Sequence, residues 1–237
     1  MWWFAAAHAN VLLLYHRMTA PATTQGPVLD AGCGTGGLLL RLAAAHPDHT
    51  AIGLDANSIA CARAQRKSGC PVCAGSVNAL PFPDDVFGAI FSVDVLCHRD
   101  VDEQAALAQF HRCLREGGVL ILNLPAYRWM LSRHDAAVYN VRRYTRRRIA
   151  QLLAATGFRL LFASYWNIFL FPIMVVTRKL LPSGQDAVSD VRRYSAPAEA
   201  LGRAATRIEH ALLRCGVRLP CGGSVIAVAV KPAAQRG

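Results

Sequence analysis

Between residues 26 and 125 of this 237-residue chain, short apolar runs bounded by Gly, Pro and Asp alternate with stretches of helical periodicity. That alternation restricts the fold more than any other feature. An apolar run at 28–31 ends in glycines and continues as LLLRLAAAH at helical spacing, which predicts strand, tight turn and helix. A second strand is expected at 50–54, then Ser58 as a helix cap with IACARAQRK as the helix, and a short third strand at 72–74. The turn at 81–85 leads to a fourth strand at 86–93 and a helix over 103–114. Glu116-Gly117-Gly118 then opens a fifth strand, VLILNLP. Strands joined through helices of about 10–15 residues build a parallel sheet with helices on both faces, a doubly wound α/β fold.

Past Pro125 the pattern changes. Residues 126–145 form a polar, Arg-rich stretch that is neither a clean strand nor a clean helix, and it reads as an insertion over the edge of the sheet. Thr145 can cap a helix running to Ala155, Gly157 closes it, and a sixth strand follows at 158–166. Helices at 167–181 and 198–214 make up a helical insertion over about 167–216, and a last strand at 224–230 returns to the sheet. Residues 1–24 are set apart as an N-terminal helix, and 25–237 as the sheet domain.

With 53% hydrophobic and 17% charged residues, the chain can bury a large core, which excludes disordered, collagen-like and coiled-coil classes. Its net charge of +11 is unevenly spread: residues 1–120 carry −2 and residues 121–237 carry +13. Such a field suits an anionic substrate or surface. No groove-reading helix or basic-aromatic strand accompanies it, so nucleic acid is not the expected partner. The eight cysteines, four of them (Cys33, Cys61, Cys97, Cys113) in packed stretches, follow no disulfide framework and fit a reducing cytoplasm. Cys70 and Cys73 have knuckle spacing without a second pair, so they read as a loop. The opening MWWFAAAHANVLLLYHRM lacks the basic start and cleavage site of a signal peptide. The apolar stretch 160–176 has 17 residues, interrupted by Tyr165, Asn167 and Pro172. Strand and buried helix describe it better than a membrane span, with shallow membrane contact as the lesser reading.

The chemistry begins at VLDAGCGTGG, residues 28–37. Gly32, Gly34 and Gly36 remove side chains where the backbone must turn sharply at the C-terminal end of a strand, which is where α/β sheets bind ligands. Asp55, 19 residues beyond Gly36 and ending the second strand, is placed to accept from ribose hydroxyls. Asp30 discriminates among adenosine-containing ligands, because a carboxylate in the turn repels a pyrophosphate but holds an amino-acid ammonium.

The segment resembles the class I S-adenosylmethionine-dependent methyltransferases of the small-molecule, type 11 kind. GSVNALPFPDDVFGAIFSVDVLCH (75–98) is similar to that family's adenine loop and fourth strand, and LREGGVLILN (114–123) to its fifth. The resemblance implies a seven-stranded Rossmann-like sheet whose last strand runs antiparallel. It also implies S-adenosylmethionine as cofactor: Asp30, Gly32, Cys33, Gly34 and Gly36 at the methionine part, Asp55 and Ala56 at the ribose, Ser76 and Val77 at the adenine, and Asp94 near the sulfonium end. Ser76 stands where the family often has an Asp, a stronger acceptor. His98 follows the fourth strand, where the family contacts the acceptor.

The N-terminal helix bearing Trp2, Trp3, Phe4 and Tyr15 is expected as a lid, with Trp3 against the cationic cofactor. The segment HDAAVYNVRRYTRRR also resembles part of the family, with Asn140 where a His is usual. Methyl transfer to an external small-molecule nucleophile is the first reading, with His98, Tyr139 or Tyr144 as the proton-handling groups. The alternative uses Asn140 and the lid to fold the methionine chain so that its own amine attacks Cγ, giving azetidine-2-carboxylate and methylthioadenosine. A third reading, from a different class, is a noncatalytic adenosyl- or nucleic-acid-binding module using the arginines of 142–148. Acceptor identity and oligomeric state carry no motif.

Overall fold

The computed structural model describes residues 2–19, 26–45, 50–179 and 196–233. Seven strands form one sheet: β1 (Val28–Ala31), β2 (Ala51–Asp55), β3 (Val72–Ala74), β4 (Phe87–Val93), β5 (Leu114–Pro125), β6 (Arg159–Trp166) and β7 (Ser224–Val230). Their order is β3-β2-β1-β4-β5-β7-β6. Pairings are parallel except those of β7, which runs antiparallel to both β5 and β6. The sheet is therefore the seven-stranded α/β sheet expected, with the antiparallel strand inserted last.

The central strands are buried on both faces and read as continuous apolar runs, as in SVIAVAV of β7, where every residue is buried. On one face pack α4 (Glu103–Cys113) and α6 (Arg146–Ala155), whose Leu107, Phe110, Ile149 and Leu153 meet Leu29, Ile90 and Leu120 of the strands. On the other face α1 (Trp2–Met18) and α2 (Gly37–Ala45) set Val11, Leu14, Tyr15 and Leu39 against Val28, Phe91, Ile121 and Trp166. Each fully buried side chain of this size contributes about 1.5–3 kcal/mol. Tyr15 lies edge-on to Phe91 at 5.2 Å and is 2% exposed, so the inner half of the N-terminal helix is core rather than lid.

Local signals hold with small corrections. The helix α3 (Ser58–Ser68) is capped by Asn57, whose Oδ1 accepts from the Ile59 and Ala60 amides, rather than by Ser58. Thr145 caps α6 as expected. The expected helix at 167–181 starts later, as α7 (Phe171–Lys179), and residues 180–181 lie outside the described residues. Asn167 has a left-handed φ of 65° and is buried, and the carboxylate of Glu209 on α8 (Ala196–Arg214) accepts from the Asn167 and Phe169 amides. A buried anion holds that turn because its amides satisfy it.

The insertion at 126–145 sits over the C-terminal ends of the central strands β4 and β5, not at the sheet's edge. It contains a 3-10 turn at Arg128–Met130 and the short helix α5 (Arg133–Ala137). Arg143, almost fully buried, makes a two-pronged pair with Asp135 (Nε to Oδ1 and Nη2 to Oδ2, both 3.0 Å) and donates to the Ala126 carbonyl. The Arg-rich run therefore splits rather than forming one solvated face. Arg143 is interior, Arg142 donates to the Leu96 and His98 carbonyls, and Arg148 pairs with Glu103 at 3.2 Å.

Candidate cofactor and acceptor site

The β1–α2 turn is a cradle whose glycines serve different needs. At Gly32 (φ 87°) an added Cβ would lie 2.2 Å from Val95 Cγ2, so the close approach of the β4–α4 loop forbids a side chain. At Gly34 (φ 53°) an added Cβ would meet nothing within 4 Å, which leaves open space above the turn. The Gly34 amide donates to Asp55 Oδ2 at 2.8 Å, and the Asn57 amide donates to Oδ1 at 2.9 Å. Asp55 is thereby fixed at the end of β2 with lone pairs left on each oxygen. Ala56 beside it is exposed.

Asp30, next to last in β1, lies on the α1–α2 side of the sheet, is 2% exposed, and its Oδ2 has no hydrogen-bond partner among the described residues. Burial raises its carboxyl to about 7, against a smaller lowering by the Leu39 amide. An acceptor that is deeply buried and unsatisfied is rare and costly. A cationic hydrogen-bond donor supplied by a ligand would satisfy Oδ2 and draw the group back to its ionised form. The amino group of S-adenosylmethionine is such a donor, so this turn fits that cofactor. The Cys33 sulfur packs toward Gly53 of β2, and burial raises the thiol to about 12. In the 75–80 loop, expected at the adenine, Val77 is buried and Ser76 exposed, its Oγ accepting from the Asn78 amide.

Asp94 follows β4 with a φ of 57°, a conformation that Asp tolerates better than most residues. Its Oδ1 accepts from Asn123 Nδ2 at 3.3 Å, and its amide donates to the Asn123 carbonyl at 2.8 Å. Burial raises its carboxyl to about 7, opposed by the positive charge of Arg143 and by the Asn123 bond. Asn123 Oδ1 in turn accepts from the Trp166 indole at 2.7 Å, and Trp166 stacks on Trp3 at 5.8 Å. Trp3 thus stands at the same C-terminal edge of the sheet as Asp94, with one ring face given to Trp166. Asn123 escaped the sequence reading, although a lone amide in VLILNLP was its signal.

Two loops close the far side. The Arg99 amide donates to the Tyr139 carbonyl and the Val141 amide to the Cys97 carbonyl, so His98, Tyr139 and Asn140 are brought together. Tyr139 is 63% exposed with a left-handed φ of 58°, while Asn140 Oδ1 accepts from the Cys97 thiol at 3.1 Å. Tyr144 does not join them. Its side chain is fully buried, its hydroxyl donates to the Leu96 carbonyl at 2.8 Å, and burial raises it far above the ordinary phenol range. Its hydroxyl is thereby committed to the β4–α4 loop. An open depression of about 500 Å³ lies beside this region, lined by Asn78, residues 99–104, Arg142 and Arg148. It is too far round toward the adenine loop to be the glycine cradle itself.

A methyltransferase-domain family model matches residues 28–118. The sterol-modifying 24-methylenesterol C-methyltransferase 2 of Arabidopsis thaliana is 28% identical over 134 residues, covering 52% of this chain and 36% of that protein. A fatty-acid O-methyltransferase of Mycolicibacterium smegmatis is 36% identical over 112 residues, covering 46% and 40%. The matches thus span about a third to two fifths of these two relatives. Among solved structures, a geranyl diphosphate methyltransferase bound to S-adenosylmethionine superposes with a TM-score of 0.61 at 18% identity, over 95% of this chain and 85% of that one. The [4+2]-cyclase SpnF superposes with 0.62 at 21% identity, over 96% and 82%. At these identities the superpositions speak for the fold, and the sequence matches for a methyltransferase domain over residues 28–118. Residues 28–118 thus match a methyltransferase domain, and the strand order and superpositions are those of the S-adenosylmethionine-dependent methyltransferase fold.

Proposed function

We propose that this chain transfers a methyl group from S-adenosylmethionine to a small-molecule acceptor. The observation that carries this reading is the buried, partnerless Oδ2 of Asp30 above an open glycine turn. S-adenosylmethionine supplies, when bound, a methyl carbon activated by the adjacent sulfonium.

Asp30 would accept from the amino-acid ammonium, Asp55 from the ribose hydroxyls through its unused lone pairs, and the 76–77 segment would line the adenine. Gly34 keeps the turn free of side chain where the ligand must approach. Asp94 is the group best suited to take the acceptor's proton: it directly follows β4 beside the cradle, and its carboxyl near 7 matches a general base working at neutral pH. Asn123 holds that carboxyl in place. His98 and Tyr139, on the paired loops, would contact or orient the acceptor, and enclosure of the site would exclude water from the reacting atoms.

The relatives named for sterol, fatty-acid and geranyl diphosphate acceptors support a small organic acceptor rather than a macromolecule. Cytoplasmic residence belongs to the same proposal, supported by eight free thiols. The cyclisation reading depends on Asn140 folding the methionine chain, and the Cys97 thiol already occupies its side-chain oxygen.

Calorimetry with S-adenosylmethionine and S-adenosylhomocysteine tests the cofactor. Binding of both, with no uptake of NAD, is the expected result. Incubation with S-adenosylmethionine alone then separates the chemistries: methyl transfer gives no methylthioadenosine, and its appearance would establish cyclisation instead.

A further inference from the structure

Residues 121–179 contain ten arginines or lysines and a single acidic residue, Asp135, which is buried against Arg143. Three arginines, Arg146, Arg147 and Arg218, line a groove of about 410 Å³ along the outer edge of β6, above Leu160, Leu161 and Phe162. Among the described residues none of the three has a carboxylate partner. Arg218 lies over the Phe162 ring at 5.6 Å and Arg146 over the Tyr165 ring at 5.1 Å, and a guanidinium over a ring can still donate from its N–H groups to a partner.

The groove continues into an apolar patch. Tyr165 stacks on Tyr127 at 5.1 Å, Tyr127 on Trp129 at 5.7 Å, and Phe171 at the start of α7 closes against both Tyr127 and Trp129. At and beyond that stack four large apolar side chains face outward: Trp129, its outer member, is 51% exposed, Phe169 50%, Ile173 54% and Val176 44%. Ile173 and Val176 are three residues apart on α7 and share a face, and Phe169 stands in the turn leading into it. Single exposed apolar residues need no explanation, but four gathered beside unpaired arginines mark an interaction surface.

We propose that this surface docks on an anionic lipid bilayer, with Arg146, Arg147 and Arg218 at the lipid phosphates and Trp129, Phe169, Ile173 and Val176 entering the headgroup region. A flat, laterally continuous partner is favoured because the basic and apolar parts lie side by side in one run, the arrangement of interfacial helices. No helix among the described residues is long and apolar enough to cross a membrane, so contact is from one side. The patch lies over the ends of β5 and β6, next to β4, where Asp94 stands. A docked molecule would therefore turn the acceptor side of the cleft toward the lipid. Docking itself does not depend on the methyl-transfer reading, because it is measured without cofactor.

The test is co-sedimentation of the full chain, without S-adenosylmethionine, with vesicles of phosphatidylcholine alone and of phosphatidylcholine mixed with phosphatidylglycerol. The wild type should sediment with the mixed vesicles and not with the neutral ones, and added salt should release it. Each arginine removed in R146Q, R147Q and R218Q should weaken binding about fivefold. The pair I173D and V176D should weaken it about tenfold or more while leaving the thermal melt unchanged, since both positions are exposed. Failure of the wild type to sediment with the mixed vesicles overturns the proposal. So does wild-type vesicle binding by both variant sets, as would single-stranded polyuridylate binding lost in the arginine variants while vesicle binding persists.

Discussion

The Trp166 indole donates to Asn123 Oδ1 at 2.7 Å in a wholly buried setting, and that bond decides which way Asn123 presents its amide nitrogen. With its oxygen committed to Trp166, Asn123 can only donate to Asp94, which it does at 3.3 Å. A residue of β6 thereby sets the orientation of a carboxylate just past the end of β4, three strands away in the sheet. Trp3, stacked on Trp166, brings the N-terminal helix into the same chain of contacts.

Asp94→Asn should lower kcat by about 10²–10⁴, the usual worth of a general base. In the wild type the rate should rise with pH through about 7 as the carboxyl ionises, and that inflection should vanish in the variant. Steady-state rates from pH 5.5 to 8.5 (about the range around this pKa) check it. An inflection that survives the substitution would take the role away from Asp94.

Asp30→Asn should separate stability from binding. In the ligand-free protein the folded Asp30 holds its proton to about 7, whereas the unfolded carboxyl releases it near the ordinary value of 3.8. The folded state binds more protons between those values, so stability falls as pH rises through that window. The whole effect is at most about 4 kcal/mol by the shift between states. Thermal melts across pH 4–8 (roughly that window) should show a weaker loss for Asp30→Asn than for the wild type. Calorimetry should show a sharp fall in S-adenosylmethionine affinity for the same variant.

Gly32→Ala and Gly34→Ala should fail for different reasons. The first drives a methyl into Val95 and should cost about 1–3 kcal/mol of stability or more, read as a lower melting temperature. The second meets no neighbour and should cost about 1 kcal/mol for its left-handed backbone. Its larger effect should be on cofactor affinity, because the methyl projects into the ligand's space. Equal losses of stability and no change in affinity would contradict the cradle.

Tyr144→Phe should lower stability by about 0.5–1.5 kcal/mol, since the Leu96 carbonyl loses one of two donors and keeps Arg142, with the pH–rate profile unchanged. Arg143→Met should be harsher, about 3–5 kcal/mol, because it leaves Asp135 buried without its ionic partner. Denaturant unfolding of both variants, with pH–rate profiles for Tyr144→Phe, distinguishes a positioning role from a chemical one.

Local chemistry made much of this protein legible. Alternating apolar runs and helical periods are statements about which residues can be buried together, so the strands were readable close to their observed bounds. Glycines beside Asp30 and an acid at Asp55 are short-range features of one turn and one strand end, and they suffice to point to an adenosyl amino acid. Other features depend on residues far apart in the chain. Tyr144 has the sequence of a reactive phenol, and only its position 48 residues from the Leu96 carbonyl makes it an interior strut. The run from Arg142 to Arg148 looks uniform until Asp135 and Glu103 claim some of its members and leave Arg146 and Arg147 facing a groove. Burial and partnership belong to the folded arrangement, because the energy of a charge or a polar group is set by what surrounds it. For that reason the chain itself names the ligand class, while the packing of β4, β5, β6 and the 126–145 insertion decides which side chains remain free to act.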